Sequence, residues 1–250
     1  MVRRAAAVLS RERWGAAAGL LAALAAYSAG AGSLWDAGLW PDVAFVSLVL
    51  FPATLGVVWL LLPLRRARGL LPVGISLAVL AVALRVAELD VLFNLAKLLA
   101  FVAFGYWFLA YFETVAWVVL VAALVPWVDA VSVWRGPTEY VVSERPGVFE
   151  DLSIAFRVPG EDDTANLGPP DVVFFALFLA AADRFDLRVA ATWIATTLLL
   201  AGTLVLTVST DVAGLPALPA VCLGFLLPNA DVLWRGLRRR REPEGAGDAD

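Results

Sequence analysis

"AGLPALPAVCLGFLLPNADVLW", residues 213–234, is apolar almost throughout, yet it opens on two prolines, Pro216 and Pro219. Its length and composition are those of a helix inside a membrane. Proline suits the first turn of a helix, where its missing N–H is no loss, and it holds the residue before it extended. The helix therefore starts near Pro219, with Pro216-Ala217-Leu218 as non-helical backbone at its mouth. At membrane depth such backbone is tolerated only where protein buries it or a wet cavity adjoins it. The stretch asks for polar partners elsewhere in the chain.

The chain around it is built for a bilayer. Of 250 residues, 61% are hydrophobic, and the mean hydropathy is +0.82. A soluble domain of this size cannot bury so much apolar surface. Apolar runs at roughly 14–35, 42–63, 70–86, 91–111, 113–133, 170–183, 188–209 and 215–234 predict an all-α, polytopic transmembrane bundle of about eight spans, the third and sixth short. The first run is read as an uncleaved span, not a signal peptide, because further spans follow at once. The chain divides into N-terminal spans (1–111), a second group of spans (112–235) interrupted by a polar loop at 134–169, and a charged, disordered tail (236–250).

Basic residues set the orientation. With the N-terminus in the cytoplasm, 14 arginines fall on the inner side and four, Arg85, Arg135, Arg145 and Arg157, on the outer. The seven acids of the 134–169 loop also lie outside. The reading is a multi-pass cell-membrane protein with both termini in the cytoplasm.

Composition removes several chemistries. There is no histidine and one cysteine, Cys222, so an internal disulfide, a His/Cys metal site and histidine acid–base catalysis are excluded. No metal, no cofactor and no nucleic-acid partner is assigned; a carboxylate-only metal site has no support in the sequence. Catalysis falls to carboxylates, hydroxyls, Lys97, arginines or the thiol.

Charges at membrane depth are costly and mark function. Lys97 is read as snorkelling to the outer interface. Arg85, Glu88 and Asp90 read as a solvated turn, Glu113 as a span boundary, and Asp183 and Asp186 as a solvated inner cluster with Arg184 and Arg188. Two aspartates differ. Asp129 stands deep in "WVVLVAALVPWVDAVSVWRGP", and Asp171 heads the span "NLGPPDVVFFALFLAAADR". At 1.5 Å per residue and for a core about 30 Å thick, Asp129 lies roughly 8 Å below the outer edge, Asp171 roughly 12 Å and Pro216–Pro219 roughly 6 Å. All three meet in the outer third of the membrane.

These residues resemble the presenilin and signal peptide peptidase family of intramembrane aspartyl proteases. That family carries one aspartate in a Tyr-Asp pair, a second in Gly-x-Gly-Asp, and a Pro-Ala-Leu motif in the last span. "AWVVLVAALVPWVDAVSVWRGPTEYVV" resembles the first, "NLGPPDVVFFALF" the second and "GLPALPAV" the third, in the same order. The resemblance covers about residues 105–230. Val128 stands where the family has tyrosine, and Pro170 where it has the second glycine. The resemblance implies catalytic Asp129 and Asp171, and a substrate-binding edge from Gly168, Pro216, Ala217 and Leu218. It also implies substrates that are membrane-embedded polypeptides or signal-peptide remnants.

Two such carboxylates hold one proton between them. The ionised one activates water and the protonated one polarises the scissile carbonyl. A helical substrate must unwind, and its freed backbone groups then need a strand edge. "EYVV" and "SIAFRV" in the outer loop are strand-like alternations, fitted to join that sheet or to form a surface hairpin. Pro126 stands to kink the Asp129 helix. Two other functions fit the residues: an inactive member of the same fold that binds membrane segments, with Val128 and Pro170 as marks of lost activity, and a proton-coupled transporter. A transporter would need further buried acids and paired broken helices, which are missing. Prepilin peptidases also use a Gly-x-Gly-Asp aspartate, but give the Pro-Ala-Leu-Pro segment no role.

Overall fold

A computed structural model describes residues 10–135, 147, 151–161, 163–210 and 215–239. The "EYVV" run, the tail beyond 239 and Arg145 lie outside the described residues. Helix α1 (Arg11–Gly30) begins at Ser10, whose hydroxyl accepts the Arg13 N–H. A 3-10 turn at Ala31–Ser33 follows. The next rod is α2 (Leu39–Phe45), a π-helical stretch (Val46–Leu50) and α3 (Phe51–Leu61). Pro52 explains the π stretch: it cannot donate to the Leu48 carbonyl, and the ladder widens by one residue just before it. The Phe51 N–H accordingly reaches back to the Val46 carbonyl.

Then come α4 (Leu70–Val86), α5 (Asp90–Phe108), α6 (Val115–Arg135), strands β1 (Ile154–Arg157) and β2 (Thr164–Leu167), α7 (Pro169–Arg184), α8 (Val189–Thr210) and α9 (Leu218–Arg239). Five of the helical stretches are long and apolar enough to cross a membrane: Arg11–Ser33, Leu39–Arg66, Asp90–Tyr111, Val115–Ser132 and Val189–Thr210. The helical stretches fall where the eight apolar runs do. α4 is shorter than the five, and so is α7.

Burial explains the short α7. Ten of its sixteen residues are buried, including every one from Phe175 to Ala182. A helix apolar on all sides belongs inside the protein, and α7 is packed by α5, α6, α8 and α9. Gly105 of α5 makes the closest approach: a Cβ there would meet the Val173 carbonyl and the Ala176 side chain. Phe178 of α7 stacks on Phe225 of α9 with ring centroids 5.0 Å apart. By contrast, α4 buries only Gly74 and Ala81 and packs mainly on α5. Large apolar side chains such as Leu48, Val79, Trp117, Trp127 and Leu198 are exposed, as a bilayer-facing surface requires. The hydroxyls of Thr197, Thr203, Thr207, Ser209 and Thr210 each donate to a carbonyl four residues back, which satisfies them without water.

The fold departs from a purely helical one at β1 and β2. They pair antiparallel, Ile154 opposite Leu167 and Arg157 opposite Thr164. Ile154, Phe156 and Leu167 point inward and are buried. The Asn94 side chain grips Ala155 from both sides, donating to its carbonyl at 2.8 Å and accepting its N–H at 3.0 Å. The Tyr27 hydroxyl donates to the Arg157 carbonyl at 2.6 Å. The hairpin is therefore docked on α1 and α5 instead of lying free on the surface.

Lys97 corrects the snorkelling expectation. It is 7% exposed; its ammonium donates to the carbonyls of Asp151 (2.9 Å) and Ser153 (2.5 Å) and sits 4.1 Å from the Phe93 ring centre. Protein carbonyls face its charge. The inner cluster is paired more specifically than expected. Arg65 and Arg66 pair with Asp183, and Arg184 donates to the Leu109 carbonyl. At the other end Arg85 bridges Asp90 and Asp151.

Candidate functional site

The two prolines that opened the sequence question have a common answer in hydrogen-bond accounting. A helix start leaves its first N–H groups without partners inside the helix. In α9 Pro219 has none to offer. The Ala220 and Val221 N–H groups both reach the Ala217 carbonyl, at 3.0 and 3.2 Å. That leaves Leu218, whose N–H goes across to α6 and donates to Asp129 Oδ2 at 3.2 Å. Asp129 thus caps a helix other than its own, and Leu215–Ala217 stay out of the helix.

The start of α7 repeats the pattern. Gly168 is the cap residue, extended at φ −64° and ψ 153°, and both Pro169 and Pro170 lie in the first helical turn. Each proline removes a donor. The Asp171 N–H returns to the Gly168 carbonyl at 3.2 Å, and the Asp171 carboxylate folds back to accept the Gly168 N–H at 3.0 Å. This is half of a capping box, since glycine has no side chain to complete it. Glycine also makes room: a Cβ at 168 would stand 3.0 Å from Asp171 Oδ2.

The third turn residue of α7 is thereby aimed into the bundle. Asp171 is 8% exposed. Asp129 is half-buried, and it lies within electrostatic reach of Asp171. Both act on Cys222, buried one turn along α9 from Leu218. Helices α6, α7 and α9 pack pairwise to make this corner. The structure therefore brings together Asp129, Asp171, Gly168 and Leu218, with Pro216 and Ala217 adjoining. Val128, by contrast, is 69% exposed. Pro126 lies inside α6, which continues through it.

Sequence reading missed three features. Cys222 follows from helical spacing, four residues after Leu218. Asn229, fully buried in α9, donates to Thr192 Oγ1 at 2.9 Å and to the Phe225 carbonyl at 2.8 Å, and accepts the Arg188 N–H at 2.9 Å. Asp42, in the first turn of α2, is buried as well. Set against known protein families, curated proteins and solved structures, the chain matches none.

Proposed function

We propose that this protein is an intramembrane aspartyl protease, resembling the presenilin and signal peptide peptidase family, that hydrolyses peptide bonds within membrane-spanning polypeptides. The observation that carries the reading is the meeting of Asp129 and Asp171 beside the Leu218 N–H. Two carboxylates from different helices, held by backbone at two proline-headed helix starts, form the constellation that two-aspartate hydrolysis needs.

In this mechanism the pair holds one proton. The ionised carboxylate takes a proton from water as the water oxygen attacks the scissile carbonyl. The other carboxylate donates its proton to the carbonyl oxygen, giving a neutral hydrated intermediate. Collapse then breaks the C–N bond, with a proton passed to the leaving nitrogen. No acyl-enzyme forms, so Cys222 has no nucleophilic part. The unwound substrate needs a strand edge. The Leu218 N–H and Ala217 carbonyl are already engaged, so the edge offered is the backbone from Leu215 to the Ala217 N–H. β2 leads straight into Gly168 and brings a second extended segment to the same corner.

The finer topology belongs to the same reading: eight spans, both termini in the cytoplasm, and the 134–169 loop outside. It is supported by the arginine bias and by the pairing of Arg65 with Asp183 at one end and Arg85 with Asp151 at the other. A reporter fused after Asp250 is expected to be active only in the cytoplasm; activity only outside would reverse the topology.

Cleavage of a model transmembrane peptide by the full chain in proteoliposomes tests the function. Wild type is expected to cut within the apolar segment. Asp129→Asn and Asp171→Asn are each expected to lose roughly 10²–10⁴-fold or more, as removal of an acid–base group does, with the fold intact. Equal cleavage by wild type and both variants sinks the reading.

A further inference from the structure

The outer corner between α1 and α2 holds a carboxylate group that the protease reading does not use. Asp36 lies in the turn before α2, Asp42 in the first turn of α2, and Glu161 in the turn between β1 and β2. One carboxylate oxygen from each lies within 4.8 Å of the other two. Asp36 and Glu161 are exposed, but Asp42 is 5% exposed, and its Oδ2 has no hydrogen-bond partner among the described residues. Among those residues none of the three carboxylates is in an ion pair with lysine or arginine. A buried carboxylate without a partner is costly, and two more carboxylates facing it raise the cost. A cation in their midst removes both penalties.

The backbone holds the three acids together. The Gly160 N–H donates to the Ala31 carbonyl at 2.9 Å. Gly160, at φ +75°, lies so close to the Trp35–Asp36 backbone that a Cβ would stand 2.5 Å from the Asp36 nitrogen. Only glycine permits that approach, and glycine takes that φ without strain. The turn carrying Glu161 is therefore pressed onto the turn carrying Asp36. The Asp36 Oδ1 accepts the Gly38 N–H at 2.7 Å, which fixes its carboxylate.

We propose that Asp36, Asp42 and Glu161 bind a divalent cation of the calcium type. Calcium takes oxygen ligands at about 2.3–2.6 Å in irregular, partly hydrated shells. Oxygens sharing one such ion are separated by at most about 5 Å, and the three carboxylates already meet that limit. Zinc prefers nitrogen and sulfur ligands, which the corner does not offer. Magnesium asks for a stricter octahedron than one buried and two exposed carboxylates present. The bound ion ties the hairpin turn to the α1–α2 corner, and so braces β2, which runs into Gly168 and Asp171. The site stands apart from the Asp129–Asp171 pair and does not depend on what that pair does.

Terbium, a luminescent calcium mimic, is a direct probe because Trp35 adjoins Asp36 and can sensitise it. The full chain in detergent, stripped of divalent ions, is titrated with terbium and then with calcium as competitor. One saturable site is expected, displaced by calcium with a Kd on the order of 10⁻⁴–10⁻³ M, as for extracellular carboxylate sites. Asp42→Asn and Glu161→Gln are each expected to weaken it at least about tenfold, since ligand charge sets affinity, while gel filtration and circular dichroism stay unchanged. If either variant misfolds, Asp36→Asn serves in its place. No saturable signal from wild type, or binding that survives all three substitutions, overturns the proposal.

Discussion

The two ends of α9 are tied to the bundle in opposite ways. At its C-terminal end, the inner end in the proposed topology, Pro228 interrupts the helix ladder, and the polar groups around it are heavily cross-linked. Arg188 donates to the Pro228 carbonyl at 2.6 Å and grips both oxygens of Asp231 at 2.7 and 2.8 Å. Asn229 makes its three bonds beside it, and Thr192 receives one of them. At the outer end two prolines also strip donors from the backbone. There, among the described residues, a single backbone N–H reaches each aspartate. A buried polar network that is fully paired fixes structure. Two carboxylates with one such donor each keep lone pairs that, under the proposed function, serve a water and a substrate. The inner end holds α8 and α9 in register, and the outer end spends that rigidity on holding two acids in place.

The largest stability effect should therefore come from the inner end. Asn229→Leu leaves the buried Thr192 hydroxyl and the part-buried Arg188 N–H without their partner. A loss of about 1–3 kcal/mol is expected from such orphaned groups, read as a fall in thermal stability in detergent. Asp171→Asn at the outer end keeps the shape and an acceptor oxygen for the Gly168 N–H. Its thermal stability should stay close to wild type even though cleavage is lost. If Asp171→Asn unfolds the protein as readily as Asn229→Leu, the outer carboxylates are structural, and the contrast between the ends collapses.

The contrast also marks what could be read from sequence. Asp129 and Asp171 were legible because a charge inside an apolar run is rare and costly. The Pro216–Pro219 segment was legible because proline announces a helix start. Asn229 stood in the same kind of run but is uncharged, and so raised no comparable alarm. Asp42 stands at the very edge of the 42–63 run, where a charge draws no attention, and Glu161, which meets it, lies far along the chain. Lys97 was visible, but its carbonyl partners stand just before a hairpin whose packing on α5 is non-local. At α7 the rule that a residue before proline is held extended puts Pro169 outside the helix and Pro170 in its first turn. The structure starts the helix one residue earlier, with Gly168 extended. The one-residue shift matters, because it puts the Gly168 N–H, and not a proline, opposite the Asp171 carboxylate.

Gly168→Ala tests that last point with a smaller effect. The backbone angles of Gly168 suit alanine, so folding should be nearly unaffected. The new Cβ would stand 3.0 Å from Asp171 Oδ2 and push the carboxylate by a few tenths of an ångström. Misplacement by 1 Å can cost about 100-fold in rate, so a loss of roughly tenfold in cleavage is expected, with thermal stability unchanged. Wild-type turnover in this variant would mean that the carboxylate has slack, and that Gly168 is no support for it.

Pro170→Gly should do least. Position 170 is the second residue of α7, where proline fixes φ and has no bond to lose. Glycine there widens the unfolded ensemble and costs about 0.4–1 kcal/mol of stability. It leaves Gly168 as the cap and Asp171 as the third helical residue, so the bond between them survives. The carboxylate also stays at the positive end of the helix, where an anion gains about 0.3–1 kcal/mol. Cleavage should therefore hold or rise slightly as the turn loosens, while the melting temperature falls a little. If Pro170→Gly instead abolishes cleavage as Asp171→Asn does, the stiff proline pair is what aims Asp171 at Asp129. The outer end would then owe its geometry to backbone rigidity rather than to the Gly168 hydrogen bond.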